Sequence, residues 1–297
     1  MKPAPFDYFA PGTVDEALAL LHEHGDEAKP LAGGQSLIPA MNFRLARPRV
    51  LVDLNRVAAL SYIRSEKTGI AIGAMTRQRS VERSDVVARA APLLAEAMPF
   101  IAHPQIRNRG TVGGSIAHAD PSAELPAVAL ALEARFRATG AAGERSIAAG
   151  DFFKGMLETA LAPGELLVEI AIPPASPRSG TAFLEMARRH GDYALAGVAA
   201  VVTLDAKGRC KTARIAFLSV GDGPVLAVEA GKTLVGQSRS DELLRAAADA
   251  GAQRDVDPPS DIHASAAYRR RLVAVLTRRA LERAFERAEN RTQETAR

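Results

Sequence analysis

Two short stretches hold the residues best suited to chemistry. The first is Ala32-Gly33-Gly34-Gln35-Ser36-Leu37. The second is Thr111-Val112-Gly113-Gly114-Ser115-Ile116-Ala117-His118-Ala119-Asp120-Pro121. Each sets adjacent glycines beside small hydroxyl side chains. Such glycines let a backbone enter conformations closed to other residues and bring its N–H groups close to a ligand. An array of N–H donors, joined by the hydroxyls of Ser36, Thr111 and Ser115, suits phosphate oxygens. Arg107 and Arg109, just before the second stretch, add positive potential. A diphosphate gripped from two sides is the ligand this pattern expects, although a Gly-Gly pair alone is also an ordinary turn.

Other chemistries lack their residues. The chain has one cysteine, which excludes an internal disulfide. It also excludes an iron–sulfur cluster or a Cys-rich zinc site built from this chain alone. Any redox reaction here must run on an organic cofactor. No Gly-x-Gly-x-x-Gly follows a strand, so a Rossmann site has no support. Gly231-Lys232-Thr233 imitates the end of a P-loop, but Leu226 stands where the first glycine is required, and a turn is expected there. His22, His24, His103, His118, His190 and His263 are scattered. Surface or supporting roles are expected for them rather than metal ligation, and no catalytic acid or base is expected to act on an organic substrate.

The elements that must position the two stretches follow from patterning. Thr13 can cap a helix running to about His24, with Asp15 and Glu16 in its first turn and Gly25 ending it. Residues 29–32 read as a strand entering the first glycine pair, and residues 36–44 as a helical piece leaving it. Strands are expected at 50–53, 62–64 and 69–74, and helical stretches at 85–101 and 122–132 around the second pair. Residues 135–138 and 166–172 are further strands. Residues 173–180, with three prolines, form the best linker in the chain. Beyond it, 182–188, 199–204 and 214–220 read as antiparallel strands, followed by helices at 241–252 and 265–288. The fold class is α+β, with domains at 1–175 and 176–297.

Net charge is +4, and residues 269–297 hold nine arginines against four glutamates. A solvated helix with Glu–Arg pairs at helical spacing explains this run. No aromatic or nucleic-acid motif accompanies it, so no nucleic-acid partner is expected. No apolar run approaches the ~20 residues of a membrane span. The first ten residues lack the pattern of a signal peptide, which makes the cytoplasm the expected location.

The two glycine strings resemble the two FAD-binding signatures of the medium subunit of molybdenum hydroxylases. This is the family of aerobic carbon monoxide dehydrogenase, xanthine dehydrogenase and bacterial N-heterocycle dehydrogenases. The resemblance begins at Phe6-Asp7-Tyr8 and takes in Arg47-Pro48, Leu51-Val52-Asp53-Leu54 and Gly164-Glu165-Leu166-Leu167. It continues through Ala187-Arg188-Arg189 to Tyr268-Arg269-Arg270. It implies an FAD domain of two α+β subdomains, of the vanillyl-alcohol-oxidase (PCMH-like) kind. A C-terminal domain of a small antiparallel sheet and helices is implied after it.

The same resemblance assigns roles. Ala32, Gly33, Gly34, Gln35, Ser36 and Leu37, with Thr111, Val112, Gly113, Gly114 and Ser115, match the diphosphate-binding loops. Glu124 matches an acid at the ribose end, Ile101 a position lining the cofactor, and Leu166 or Leu167 an apolar residue beside adenine or flavin. Tyr193 matches an aromatic residue over the isoalloxazine, and a hairpin or core tyrosine is its other reading. His118 and Asp120 are expected to brace the second loop. Gln35 stands where the carbon monoxide branch commonly has histidine, which leaves the substrate open between carbon monoxide and N-heteroaromatic or purine compounds.

The implied function is electron transfer. A large subunit carries the molybdenum cofactor and a small one two iron–sulfur clusters. FAD on this chain passes the electrons to an external acceptor, and the implied assembly is a dimer of heterotrimers. A free-standing FAD oxidoreductase and a flavin-free scaffold are the alternatives.

Overall fold

The computed structural model describes residues 2–295. Its first layer is a three-stranded parallel sheet in the order Asp7–Phe9, Val50–Asp53, Ala28–Leu31. The helix Val14–His24 packs Ala17 and Leu21 into the core on this sheet. It starts as the residues dictate, because Glu16 N–H donates to Thr13 Oγ1 (3.2 Å) and the Glu16 carboxylate accepts from Gly12 and Thr13 N–H. Thr13→Ala is expected to cost about 1 kcal/mol, read as a small fall in the thermal midpoint. An unchanged midpoint would show that the Ala17–Leu21 packing alone fixes the helix.

The second layer is a five-stranded antiparallel sheet in the order Ile63–Glu66, Gly69–Gly73, Leu166–Ile172, Arg135–Gly140, Gly143–Ala148. Its apolar face, with Ile70, Ile72, Phe136 and Ile170, is covered by short helices from the segment 85–131. The single helix expected over 85–101 is three pieces: Asp85–Ala90, Pro92–Ala97 and a 3-10 turn Met98–Phe100. Ala91, at φ −137°, is held out of helical geometry by the ring of Pro92. The second glycine string, expected as a loop, is itself mostly the helix Val112–His118.

A four-stranded antiparallel sheet follows the Pro-rich segment: Ser179–Ala187, Ala194–Leu204, Cys210–Leu218 and Val225–Leu226. It is buried on both faces. Phe183, Ala199, Ala216 and Leu218 join the core beneath the short helices of the first part. Their sequence neighbours Ala182, Val198, Ile215 and Phe217 join a core under the C-terminal helices. Period-two alternation thus sends adjacent apolar residues into two different cores. This explains why the strand expected at 199–204 begins earlier, at the apolar Ala194.

Gly231-Lys232-Thr233, expected in a turn, lies inside the helix Val228–Leu234. The helices Asp241–Ala250 and Ala266–Thr295 complete the chain. Four of the arginines near the C-terminus, Arg269, Arg270, Arg287 and Arg291, make tertiary ties rather than pairs along their own helix. Arg269 is buried, pairs with Asp261 (2.7 Å) and donates to the carbonyls of Leu195 and Ser219. Arg287 reaches Glu96 (2.6 Å), and Glu286 and Glu289 accept from Arg239. Arg297 lies outside the described residues. No helix among the described residues is long and apolar enough to cross a membrane.

Candidate functional site

The two glycine strings meet. Each follows a piece of extended chain, the first the strand Ala28–Leu31 and the second a bridge in which Arg77 pairs antiparallel with Thr111. A Cβ added to Gly33 would lie 2.6 Å from the Arg109 carbonyl oxygen and 2.7 Å from Gly110 Cα. One added to Gly114 would lie 2.6 Å from Thr111 Oγ1 and 3.1 Å from Ala32 Cβ. These glycines are therefore required by the closeness of the strings rather than by backbone freedom. Gly34 alone of the four has positive φ (72°).

Between the strings lies a cavity of about 680 Å³, within the roughly 300–1,000 Å³ range of small-molecule and cofactor pockets. It brings together Ala32, Gly33, Gly34, Gln35, Ser36, Leu37, Ile101, Thr111, Gly113, Gly114, Ser115, Glu124, Leu166, Leu167 and Tyr193. Of the expected site residues only Val112 is elsewhere. Its side chain is in the core and its N–H donates to the Thr76 carbonyl (3.0 Å).

The strings differ in what they can offer. In the second, Gly113 N–H donates to Ala74 O (2.8 Å), Gly114 N–H to Thr111 Oγ1 (3.0 Å) and Ser115 N–H to Thr111 O (3.2 Å). Its backbone donors are consumed by the helix start. In the first, the N–H groups of Gly33, Gly34, Gln35, Ser36 and Leu37 meet no acceptor among the described residues. Five successive unpaired donors in residues that line a cavity form the N–H array expected for a diphosphate. Gln35 Nε2 donates to Gly33 O (2.9 Å), closing the loop on itself.

Arg107 does not face the cavity as expected. It is buried, holds Glu82 through two bonds (2.9 and 3.0 Å) and donates to the carbonyls of Ile101 and Ala102. That pairing holds the Glu82 carboxyl below its usual range. Arg107 thus orients Ile101, whose side chain lines the cavity, by gripping its backbone.

The far end of the cavity is acidic and aromatic. Glu124 begins the helix Glu124–Ala131 and is 8% exposed; burial pushes its carboxyl up to about 7. Asp120 accepts from Ser122 N–H (2.8 Å), bracing the turn after the second string. Tyr193 stands between the strands Ser179–Ala187 and Ala194–Leu204, with 67% of its surface exposed at the cavity mouth. Although the ring is exposed, partial desolvation on its cavity side, with the Asp120 and Glu124 charges nearby, raises its pKa. His118 also lines the cavity.

Two lining features were missed in the sequence. Gln78 is buried, and its Oε1 has no partner among the described residues. A Cβ on Gly191 (φ 89°) would lie 2.3 Å from His103 Cε1, so the loop carrying Tyr193 rests on the His103 ring. An isolated Gln or His in a polar segment gives no periodic signal by which to find either.

The amino-acid sequence also compares directly with known proteins. Residues 4–175 match the FAD binding domain in molybdopterin dehydrogenase, and residues 181–284 the CO dehydrogenase flavoprotein C-terminal domain. The chain belongs to this FAD-binding family of the molybdopterin dehydrogenases. It is 46% identical to the 6-hydroxypseudooxynicotine dehydrogenase complex subunit alpha of Paenarthrobacter nicotinovorans, over 97% of each chain. It is 44% identical to the carbon monoxide dehydrogenase medium chain of Afipia carboxidovorans, over 98% of this chain and 100% of that one. A chain of the carbon monoxide dehydrogenase structure from Hydrogenophaga pseudoflava superposes with a TM-score of 0.94 at 41% identity, covering 97% of this chain and 99% of that one.

Membership of this FAD family makes the chain an oxidoreductase subunit and makes FAD its cofactor. The pocket fits that group on its own terms. It has unpaired backbone donors at one end for phosphate oxygens, and Ile101, Leu166 and Leu167 as apolar walls for flat rings.

Proposed function

We propose that this protein is the electron-transfer subunit of a multi-subunit molybdenum hydroxylase. In that assembly electrons pass from iron–sulfur clusters on a small subunit, through FAD on this chain, to an external acceptor. The hydroxylating molybdenum site lies on a large subunit, and the assembly is a cytoplasmic dimer of heterotrimers. The FAD domain is assigned to residues 1–175 and the second domain to 176–297.

The observation that carries this reading is the unpaired N–H run from Gly33 to Leu37, in residues that line one cavity together with the second string. Gly33 to Leu37 would hold the diphosphate, with the Ser36, Thr111 and Ser115 hydroxyls as further donors. Ile101, Leu166 and Leu167 would exclude water from the rings, and Tyr193 would cover the isoalloxazine at the mouth. Glu124, buried at the same end, would hold a proton near neutral pH.

FAD supplies a carrier that takes up electrons singly or in pairs, which couples one-electron donors to two-electron acceptors. In this reading the chain's own residues bind and orient the cofactor. Relatives named as carbon monoxide, caffeine and nicotine-hydroxylating subunits support a substrate that is carbon monoxide or an N-heteroaromatic compound, taken by the partner.

The test is direct. Protein purified with any accompanying subunits should be yellow and should release FAD on denaturation. A colourless protein that takes up no added FAD would sink the reading. Turnover of an organic substrate by this chain alone would replace it with a free-standing oxidoreductase.

A further inference from the structure

Two side chains that do not line the cavity join its two glycine strings. Asn55 follows the strand Val50–Asp53, and its Nδ2 donates to the Ala32 carbonyl (3.0 Å) at the head of the first string. Its Oδ1 accepts from Arg77 Nη2 (2.5 Å). The other arm of that guanidinium, Nη1, donates to the Arg109 carbonyl. This is the same carbonyl that faces Gly33 at the point where the strings come closest. The Arg77 backbone is strapped to the second string as well, through Gln78 N–H to Gly110 O (2.9 Å) and Val112 N–H to Thr76 O (3.0 Å).

The pair is held firmly at its outer end. Asp53 Oδ1 accepts from Asn55 N–H (2.9 Å) and Nδ2, and Asp53 Oδ2 accepts from the Tyr8 hydroxyl. Partial burial and the neighbouring Arg109 charge lower the Arg77 pKa, and an arginine remains charged at any working pH. A planar guanidinium that bonds an amide oxygen with one arm and a carbonyl with the other fixes two directions at once. A lysine, with one compact cation, cannot do so.

We infer that Asn55 and Arg77 form a clamp that sets the separation of the two glycine strings and so positions the first string's free N–H donors for the cofactor diphosphate. They are positioning residues, acting through Ala32 and Arg109. This deepens the proposed function and rests on it. Without the Arg77 side chain, the Arg109 carbonyl and the Asn55 amide oxygen each lose the bond it supplied. Asn55 Nδ2 still holds the Ala32 carbonyl, but nothing polar then ties that side to Arg109, and the unpaired Asn55 Oδ1 and Arg109 carbonyl favour a more open arrangement that water can enter.

The test measures FAD affinity and stability together, on Arg77→Met, Asn55→Ala, the double variant and Arg77→Lys. Protein purified with any accompanying subunits is stripped of flavin and titrated with FAD while flavin fluorescence is followed. Urea unfolding of the stripped protein runs in parallel. Each single variant should weaken FAD binding at least about tenfold. The double variant should be little worse than the poorer single one, because the two side chains act as a unit. Arg77→Lys should recover part of the affinity, and the urea midpoints should shift far less than the affinity does.

FAD affinities within twofold of the wild type would overturn the clamp. So would additive losses matched by equal losses of stability, which would make these residues merely structural. Wild-type protein that takes up no FAD would sink the proposed function itself, and the clamp with it.

Discussion

Gly33→Val should leave a protein that folds but no longer retains FAD. The glycine lies against the second string with no room to spare, since even a Cβ would sit 2.6 Å from the Arg109 carbonyl oxygen and 2.7 Å from Gly110 Cα. Both obstacles are backbone, so no side chain can swing aside. The strain is relieved only by parting the strings, which form the two sides of the proposed diphosphate site. Overpacking of this kind costs roughly 1–3 kcal/mol or more, which corresponds to a loss of about 10- to 100-fold in affinity when it falls on the binding geometry.

Gly114→Val should act similarly by a second route, because its Cβ would displace the Thr111 hydroxyl that caps the following helix. The measurement is flavin absorbance per mole of purified protein, with a thermal midpoint on the flavin-free form to show that the fold survives. Wild-type flavin content in both variants would mean that the strings do not hold the cofactor.

That expectation also shows how far the sequence could be read. The two strings were legible because their residue types are unusual together, and the cavity between them contains all but one of the residues they suggested. Their physical reason was not legible. Adjacent glycines imply backbone freedom, yet only Gly34 uses it. Gly33, Gly113 and Gly114 serve close approach to Arg109, Ala74 and Thr111, and a close approach between distant segments leaves no local mark.

The same limit applies to charge. Arg107, just before the second string, looked like a source of positive potential for the site, whereas Arg77, thirty residues earlier, is the arginine that reaches across. Nothing within either local window distinguishes a guanidinium that pairs with Glu82 from one that bridges Asn55 and Arg109. Three of the four strands of the C-terminal sheet were legible as strands; the two-residue Val225–Leu226 was not. Burial of the sheet on both faces was not legible, because alternating Ala182, Phe183 and Leu184 leaves open which core each enters.

Two carboxyls whose pKa values desolvation raises, Glu124 and Glu185, should make the flavin-free protein less stable as pH rises through neutrality. Glu185, on the strand Ser179–Ala187, packs opposite Gly197, and its Oε2 has no hydrogen-bond partner among the described residues. Burial, with Glu124 nearby, pushes its carboxyl up to about 8; burial pushes that of Glu124 itself up to about 7, with Asp120 adding to the rise and Arg107 opposing it. In an unfolded chain both groups lose their protons near 4.5.

Between that value and the folded one, the folded state binds more protons than the unfolded state, so the free energy of unfolding falls with rising pH. The loss begins above about pH 4.5 and is complete once pH exceeds about 8. Glu185→Gln keeps the shape of the side chain and cannot ionise. It should flatten the upper part of this profile and leave the variant more stable than wild type above pH 8, by on the order of a few kcal/mol. Urea midpoints of both proteins, measured across pH 5 to 9, decide the matter. Parallel slopes would show that Glu185 ionises freely in the folded chain, with water or a backbone shift compensating its burial. A Tyr193→Phe profile like the wild type's would place the effect on the carboxylates rather than on the phenol.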